Sequence, residues 1–149
     1  MPKGAKSLKE VALSVYTKSS NLSRVSLYER LDYSAYRNLL RKSDLHVYFS
    51  RPFIASWGLV EALSCGCCVI ASDISMVREI VKDSAFLIDH TNIDSAISSI
   101  EPLLNSPDLR QKMSRLARQR ALSFYDVKNK APSLLAAISA TLARSVKAS

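Results

Sequence analysis

With 149 residues, 48% of them hydrophobic and 23% charged, the chain has the size and balance of one folded globular domain, which excludes a disordered or collagen-like polypeptide. Apolar stretches such as Cys67 to Ala71 fall far short of the ~20 residues that cross a bilayer. Met1 to Glu10 also lacks the apolar region of a secretory signal, so the expected location is the cytoplasm. A formal charge of +8 points to an anionic partner, whether a nucleotide diphosphate, a nucleic acid or an acidic lipid surface.

Ser7-Leu8-Lys9-Glu10 has capping-box spacing, and Leu8, Val11, Ala12, Val15 and Tyr16 recur at helical intervals, which predicts a first helix. Val25 to Tyr28 alternates as a half-buried strand does. Asp32 is placed to cap a helix that buries Tyr33, Tyr36, Leu39 and Leu40. Leu45 to Phe49 reads as a second strand, followed by a Pro-containing loop and a helix from about Trp57 that Gly66 would stop. The near-continuous apolar run Cys67 to Ser72 suits a central parallel strand covered on both faces. A helix over Met76 to Val81 and a strand over Ala85 to Ile88 follow.

Beyond Thr91 the pattern is helical. Ile93, Ala96, Ile97, Ile100, Leu103 and Leu104 form one stripe, which Pro102 is expected to kink or end. Ser106-Pro107 restarts a helix at its N-cap and first position, burying Leu109, Met113, Leu116 and Ala117. A last helix uses Leu134, Leu135, Ile138 and Leu142. The whole predicts an α/β fold: one domain over 1–149, with a partial Rossmann-like parallel sheet of about four strands, flanking helices, and a helical C-terminal extension over 108–149. Such sheets bind ligands outside the carboxyl ends of their strands, here after Phe49, Ser72 and Ile88. A Rossmann-like domain normally opens on a strand, whereas this chain opens on a helix, so amino-terminal truncation is expected.

Cys65, Cys67 and Cys68 are odd in number, lack CxxC spacing and lie far in sequence from His46 and His90. Buried structural thiols are therefore expected over a disulfide or a zinc site. Arg110, Lys112, Arg115, Arg118 and Arg120 form either a solvated helix face or a weak anionic-membrane patch that would make the protein peripheral. No recognition helix or aromatic RNA platform accompanies them, so no specific nucleic acid is expected as a partner.

The segment from Tyr48 to Ser72, with Ser56-Trp57-Gly58-Leu59-Val60-Glu61-Ala62 followed by Gly66 and an apolar strand, resembles the donor-binding domain of retaining GT-B glycosyltransferases of the group 1, glycogen-synthase-like type. The likeness runs from about Leu22 through Tyr125. It implies a glycosyltransferase that moves a hexose from a nucleotide sugar, of which this chain is the donor-binding half, with the acceptor domain supplied by a partner chain or by the missing half. The alternative is a nucleotide-binding module without turnover. No cofactor and no metal are implied.

Physical chemistry gives the motif a reason. The start of the Trp57 helix offers free N–H groups and a positive dipole end to a diphosphate, with Ser56, Trp57, Gly58 and Leu59 around it. By resemblance Glu61 accepts hydrogen bonds from the ribose hydroxyls; its other reading is an ordinary helix-surface glutamate. Trp57 itself reads as a packing residue or loop anchor. Arg30 and Leu31 fall where the family's loop meets the nucleobase, or are plain surface residues. Asp73 reads as a loop cap for the helix after Ser75. Glu79 matches a family glutamate, or is a surface residue.

Two departures stand out. The family's first acidic residue, eight positions before Glu61, is Phe53 here, which removes a carboxylate from the donor-sugar side. The family's glycine-rich turn, with the Arg and Lys that neutralise the diphosphate, has no counterpart in this sequence.

Overall fold

The computed structural model describes Glu10 and residues 24–28, 30–50 and 56–147. The chain divides into two compact units, Met1–Tyr36 and Arg37–Ser149. The expected first helix lies outside the described residues except for Glu10, which is helical. Residues 25–28, expected as a strand, carry no strand pairing. Their side chains alternate between half-buried and exposed, so the pattern is present without the ladder that would make it a strand.

The regular elements are α1 (Tyr33–Lys42), β1 (His46–Tyr48), α2 (Trp57–Cys65), β2 (Val69–Ser72), α3 (Ser75–Val81), β3 (Phe86–Ile88), α4 (Ile93–Asn105), α5 (Pro107–Tyr125) and α6 (Val127–Lys147). The strands pair in parallel in the order β1-β2-β3, with Tyr48 opposite Ala71 and Ser72 opposite Ile88. The α/β character and the parallel sheet match the expectation, with three strands rather than four among the described residues. Strand order follows chain order there, so no topological switch point occurs within this set.

β2 is central, and all four of its residues are buried. Cys68 and Ile70 join Ile88, Ala96, Leu103 and Met113 in one core cluster; Val69 and Ala71, on the other face of the pleat, are fully buried as well. This double coverage explains the unbroken apolar run in the sequence. Gly66 ends α2 in the left-handed region at φ 75°, with the Cys67 N–H donating to the Ala62 carbonyl at 3.1 Å and the Gly66 N–H to Leu63 at 3.0 Å. A side chain would be strained in that conformation.

Other helix signals hold at their ends and fail along their faces. Asp32 Oδ1 accepts from the Ala35 N–H at 2.9 Å and from the Ser34 hydroxyl at 2.8 Å, and Ser106 Oγ accepts from the Leu109 N–H at 3.3 Å. Of the four residues expected to be buried by α1, only Leu40 is buried; Tyr33 and Leu39 are exposed. Pro102 neither ends nor splits α4, which runs on to Asn105. On α4 the stripe is half used: Ala96 and Leu103 are buried, while Ile93, Ile97 and Leu104 face solvent. In α6, Leu134, Leu135, Ile138 and Leu142 are all exposed. The period identified the helices correctly, but only packing decides which apolar residues of a stripe find a neighbour.

Cys67 and Cys68 are buried and Cys65 partly so, all three as free thiols. The Cys67 thiol lies 3.2 Å from the Leu40 carbonyl, and burial pushes it up to about 11.

Candidate functional site

The carboxyl ends of the three strands converge as the fold requires. The Ser50 N–H donates to Ser72 Oγ at 2.9 Å, tying the loop after β1 to the end of β2. The Asp73 N–H donates to the Ile88 carbonyl at 2.9 Å, tying β2 to β3. The rings of Phe49 and His90 stack with centroids 5.4 Å apart. Each tie comes from one of the three positions the sequence singled out. His90 was not among the candidate residues, although its place two residues after β3 is the signal that could have found it.

Above this edge stands α2. Ser56 adopts the extended conformation of an N-cap, and its Oγ accepts from the Gly58 N–H at 3.1 Å while its carbonyl accepts from Leu59 N–H at 3.2 Å. Both of those amides, expected as ligand donors, are thus engaged within the cap. The Trp57 N–H, at the first helical position, has no acceptor among the described residues. It adds its charge to the positive end of the helix.

Leu59, Ala62 and Leu63 are fully buried and fix the rotation of α2 about its axis. Glu61 then falls on the half-exposed side, one turn beyond Trp57. Among the described residues its carboxylate has no ion pair or hydrogen bond. Trp57 is 81% exposed, so its side chain does not pack into the core. Ser56, Trp57 and Val60 border a cleft of about 290 Å³ with Ile80 and Tyr125. Tyr125 arrives from the end of α5, far away in sequence, and no local motif could have announced it.

Asp73 takes a different role from the expected cap. Its two carboxylate oxygens accept from Arg78 Nε at 2.5 Å and from the Arg78 guanidinium at 2.6 Å, while the N-cap position of α3 is Ile74, which gives no side-chain cap. Glu79 is exposed, in line with its surface reading. Arg30 and Leu31 lie in the first unit and line a shallow depression with Asp32, Tyr33 and Tyr36. Phe53 lies outside the described residues. No group of three or more His, Cys, Asp or Glu side chains among the described residues is placed to hold a metal ion.

Three of the five basic residues of α5 make backbone contacts that neither reading of that face included. Arg110 donates to the Leu103 and Leu104 carbonyls at 2.6 and 2.8 Å. Arg118 donates to the Ser64 carbonyl. Arg120 donates to Ile80 and Glu79 at 2.9 and 3.1 Å. Each arginine therefore caps the carboxyl end of a different helix, α4, α2 and α3 in turn, supplying donors to carbonyls that have no partner within their own helix.

The family described as glycosyl transferases group 1 matches residues 6–120. Among solved structures, the sucrose-phosphate synthase of Thermosynechococcus elongatus superposes with a TM-score of 0.74 at 18% identity, over 91% of this chain and 34% of that one. The likeness establishes a GT-B-type fold for a chain that spans about a third of the length of that enzyme. No curated protein matches the chain. With 115 of its 149 residues inside the family's match, the chain belongs to the glycosyl transferases group 1 family.

Proposed function

We propose that the chain binds a nucleotide sugar and serves as the donor-binding half of a hexosyltransferase in the cytoplasm, with the acceptor site contributed from outside the residues present here. One observation carries the reading: Glu61, whose carboxylate is unengaged among the described residues, sits one turn from a helix N-terminus whose first N–H has no acceptor among them. A diphosphate fits the positive end of α2 at Ser56 and Trp57, held by amide and hydroxyl donors without a metal. The ribose then lies within reach of Glu61, which accepts from its hydroxyls. Rotation of the Ser56 hydroxyl away from Gly58 would release a further amide toward the phosphate. By the family resemblance alone, Arg30 and Leu31 are assigned to nucleobase recognition, and Phe53 stands at the sequence position of the donor-sugar carboxylate.

Arg110, Arg118 and Arg120 of α5 each donate to backbone carbonyls. The test is a titration of UDP-, GDP- and ADP-sugars at fixed salt with the native chain and Glu61→Ala. Losing charge-assisted bonds to two ribose hydroxyls should weaken binding roughly ten- to a hundredfold. Equal affinity in the two proteins, or no saturable binding by the folded native chain, would remove the donor site.

A further inference from the structure

The Phe49–His90 stack takes no part in the proposed donor contacts, yet it lies at the middle of the edge where parallel sheets bind ligands. Phe49 follows β1 and His90 follows β3, with β2 between those strands. Their rings therefore meet across the carboxyl end of β2, where Ser72 Oγ accepts the Ser50 N–H. The stack, 5.4 Å between centroids and 24° between planes, fixes the plane of the imidazole. His90 is half-buried, and neither of its ring nitrogens has a hydrogen-bond partner among the described residues. The neighbouring Asp89 carboxylate is turned to the Thr91 N–H and hydroxyl, at 2.9 and 2.5 Å. An oriented imidazole, partly withdrawn from water and without a protein partner, is available to a ligand at that edge.

The direction of α2 decides which part of a donor reaches this pair. β1 and β2 are parallel, so α2, which joins them, runs back against the strands and starts at their carboxyl edge. Its buried Leu59, Ala62 and Leu63 turn into the domain, and Glu61 lies roughly 150° around the helix from their mean direction. A nucleoside held at Glu61 thus lies on the outer side of α2. With the diphosphate at the helix start, the group on the far phosphate extends the opposite way, over the sheet edge. There it meets the His90 nitrogens and Phe49, which is 49% exposed. A pyranose has apolar C–H faces and a rim of hydroxyls, which an aromatic ring beside an imidazole can accommodate together.

We propose that His90, held in place by Phe49, is a sugar-recognition residue of the donor site: its ring N–H donates to a hydroxyl oxygen of the transferred hexose, and the Phe49 ring packs on a C–H face. The assignment rests on the donor-site reading. It supplies a polar contact on the sugar side, where the family's carboxylate position holds Phe53.

Calorimetric titration of the chain with UDP-glucose, GDP-mannose and ADP-glucose, each beside its own nucleoside diphosphate, tests the proposal. His90→Phe keeps a ring on Phe49 and removes both nitrogens. It should weaken the best-bound sugar nucleotide about three- to tenfold and leave the matching diphosphate within about twofold. His90→Leu repeats the comparison without the ring, and circular dichroism and urea midpoints report the fold of each variant. Phe49→Leu should act in the same direction, whereas Glu61→Ala should weaken sugar nucleotide and diphosphate alike. Equal losses for the two ligands in folded His90→Phe and His90→Leu, or no loss for either, would overturn the role of His90, while a Glu61→Ala effect would leave the donor site standing. No saturable binding by the folded native chain would remove both.

Discussion

Removing the Arg120 side chain should reveal how α3 is held. α3 has only seven residues, so the carbonyls of its last turn depend on donors from outside. Ile80 O receives Arg120 Nε at 2.9 Å and Tyr125 Oη at 3.0 Å, and Glu79 O receives the Arg120 guanidinium at 3.1 Å. The guanidinium also lies 3.7 Å from the centroid of the Phe124 ring. A part-buried charged hydrogen bond contributes about 1.5 kcal/mol and an exposed one less, and the cation–π contact adds about 0.5–1 kcal/mol. Arg120→Ala should therefore cost roughly 2–3 kcal/mol, and Tyr125→Phe about 1 kcal/mol.

The informative quantity is their coupling. Either single variant leaves Ile80 O one donor, whereas the double variant leaves a part-buried carbonyl with none. Its loss should exceed the sum of the single losses by about 1 kcal/mol or more. Urea unfolding of the native chain and the three variants measures the cycle. Arg120→Lys should recover only part of the single loss, because an ammonium lacks the fork that reaches two carbonyls. Additive losses, or an Arg120→Ala cost below about 0.5 kcal/mol, would refute the assignment of Arg120 as the cap of α3.

Gly66→Ala should destabilise by about 1–2 kcal/mol through its left-handed backbone alone, since a new Cβ would meet Ser114 O and Arg118 Cβ at the ordinary distances of 3.7 and 3.8 Å; an unchanged denaturation midpoint would argue against the conformation. Burial lowers the His46 pKa below 6.5, so the folded state binds fewer protons than the unfolded one. Stability should then fall as pH drops through about 6.5 toward 5, and His46→Gln should flatten that limb of the urea midpoint against pH. Among the three cysteines, the native chain should present a single fast-reacting thiol to a disulfide reagent near pH 8, that of Cys65, with Cys67 and Cys68 reacting after unfolding, because burial raises both of their pKa values. Rapid reaction of all three in the folded protein would contradict their placement.

Features that depend on a few adjacent residues were legible in the sequence. Ser106-Pro107 and Gly66 marked helix ends because caps involve the backbone within one turn. β2 was legible because a strand covered on both faces must be apolar at every position. The Ser56–Glu61 segment was legible as a helix start carrying a carboxylate. What the sequence could not show is which donors the cap itself consumes: Ser56 takes the Gly58 amide through its own hydroxyl. Nor did anything near Tyr125 connect it to the α2 cleft, because that contact depends on α5 running along α2. Asp73 was misread for a related reason. As an N-cap it would need only its neighbours, but Arg78 lies one turn inside α3 and draws both of its oxygens.

The arginines of α5 show how charge that reads as a binding surface can belong to the fold. A short helix such as α2 or α3 leaves about half of its carbonyls without an intrahelical partner, and its negative end faces whatever packs there. α5 lies along that end of the domain, and its Arg110, Arg118 and Arg120 reach three different helix termini. Gly66 and Arg118 thereby hold the carboxyl end of α2 while Ser56 holds its start, so the helix that presents Glu61 is fixed at both ends.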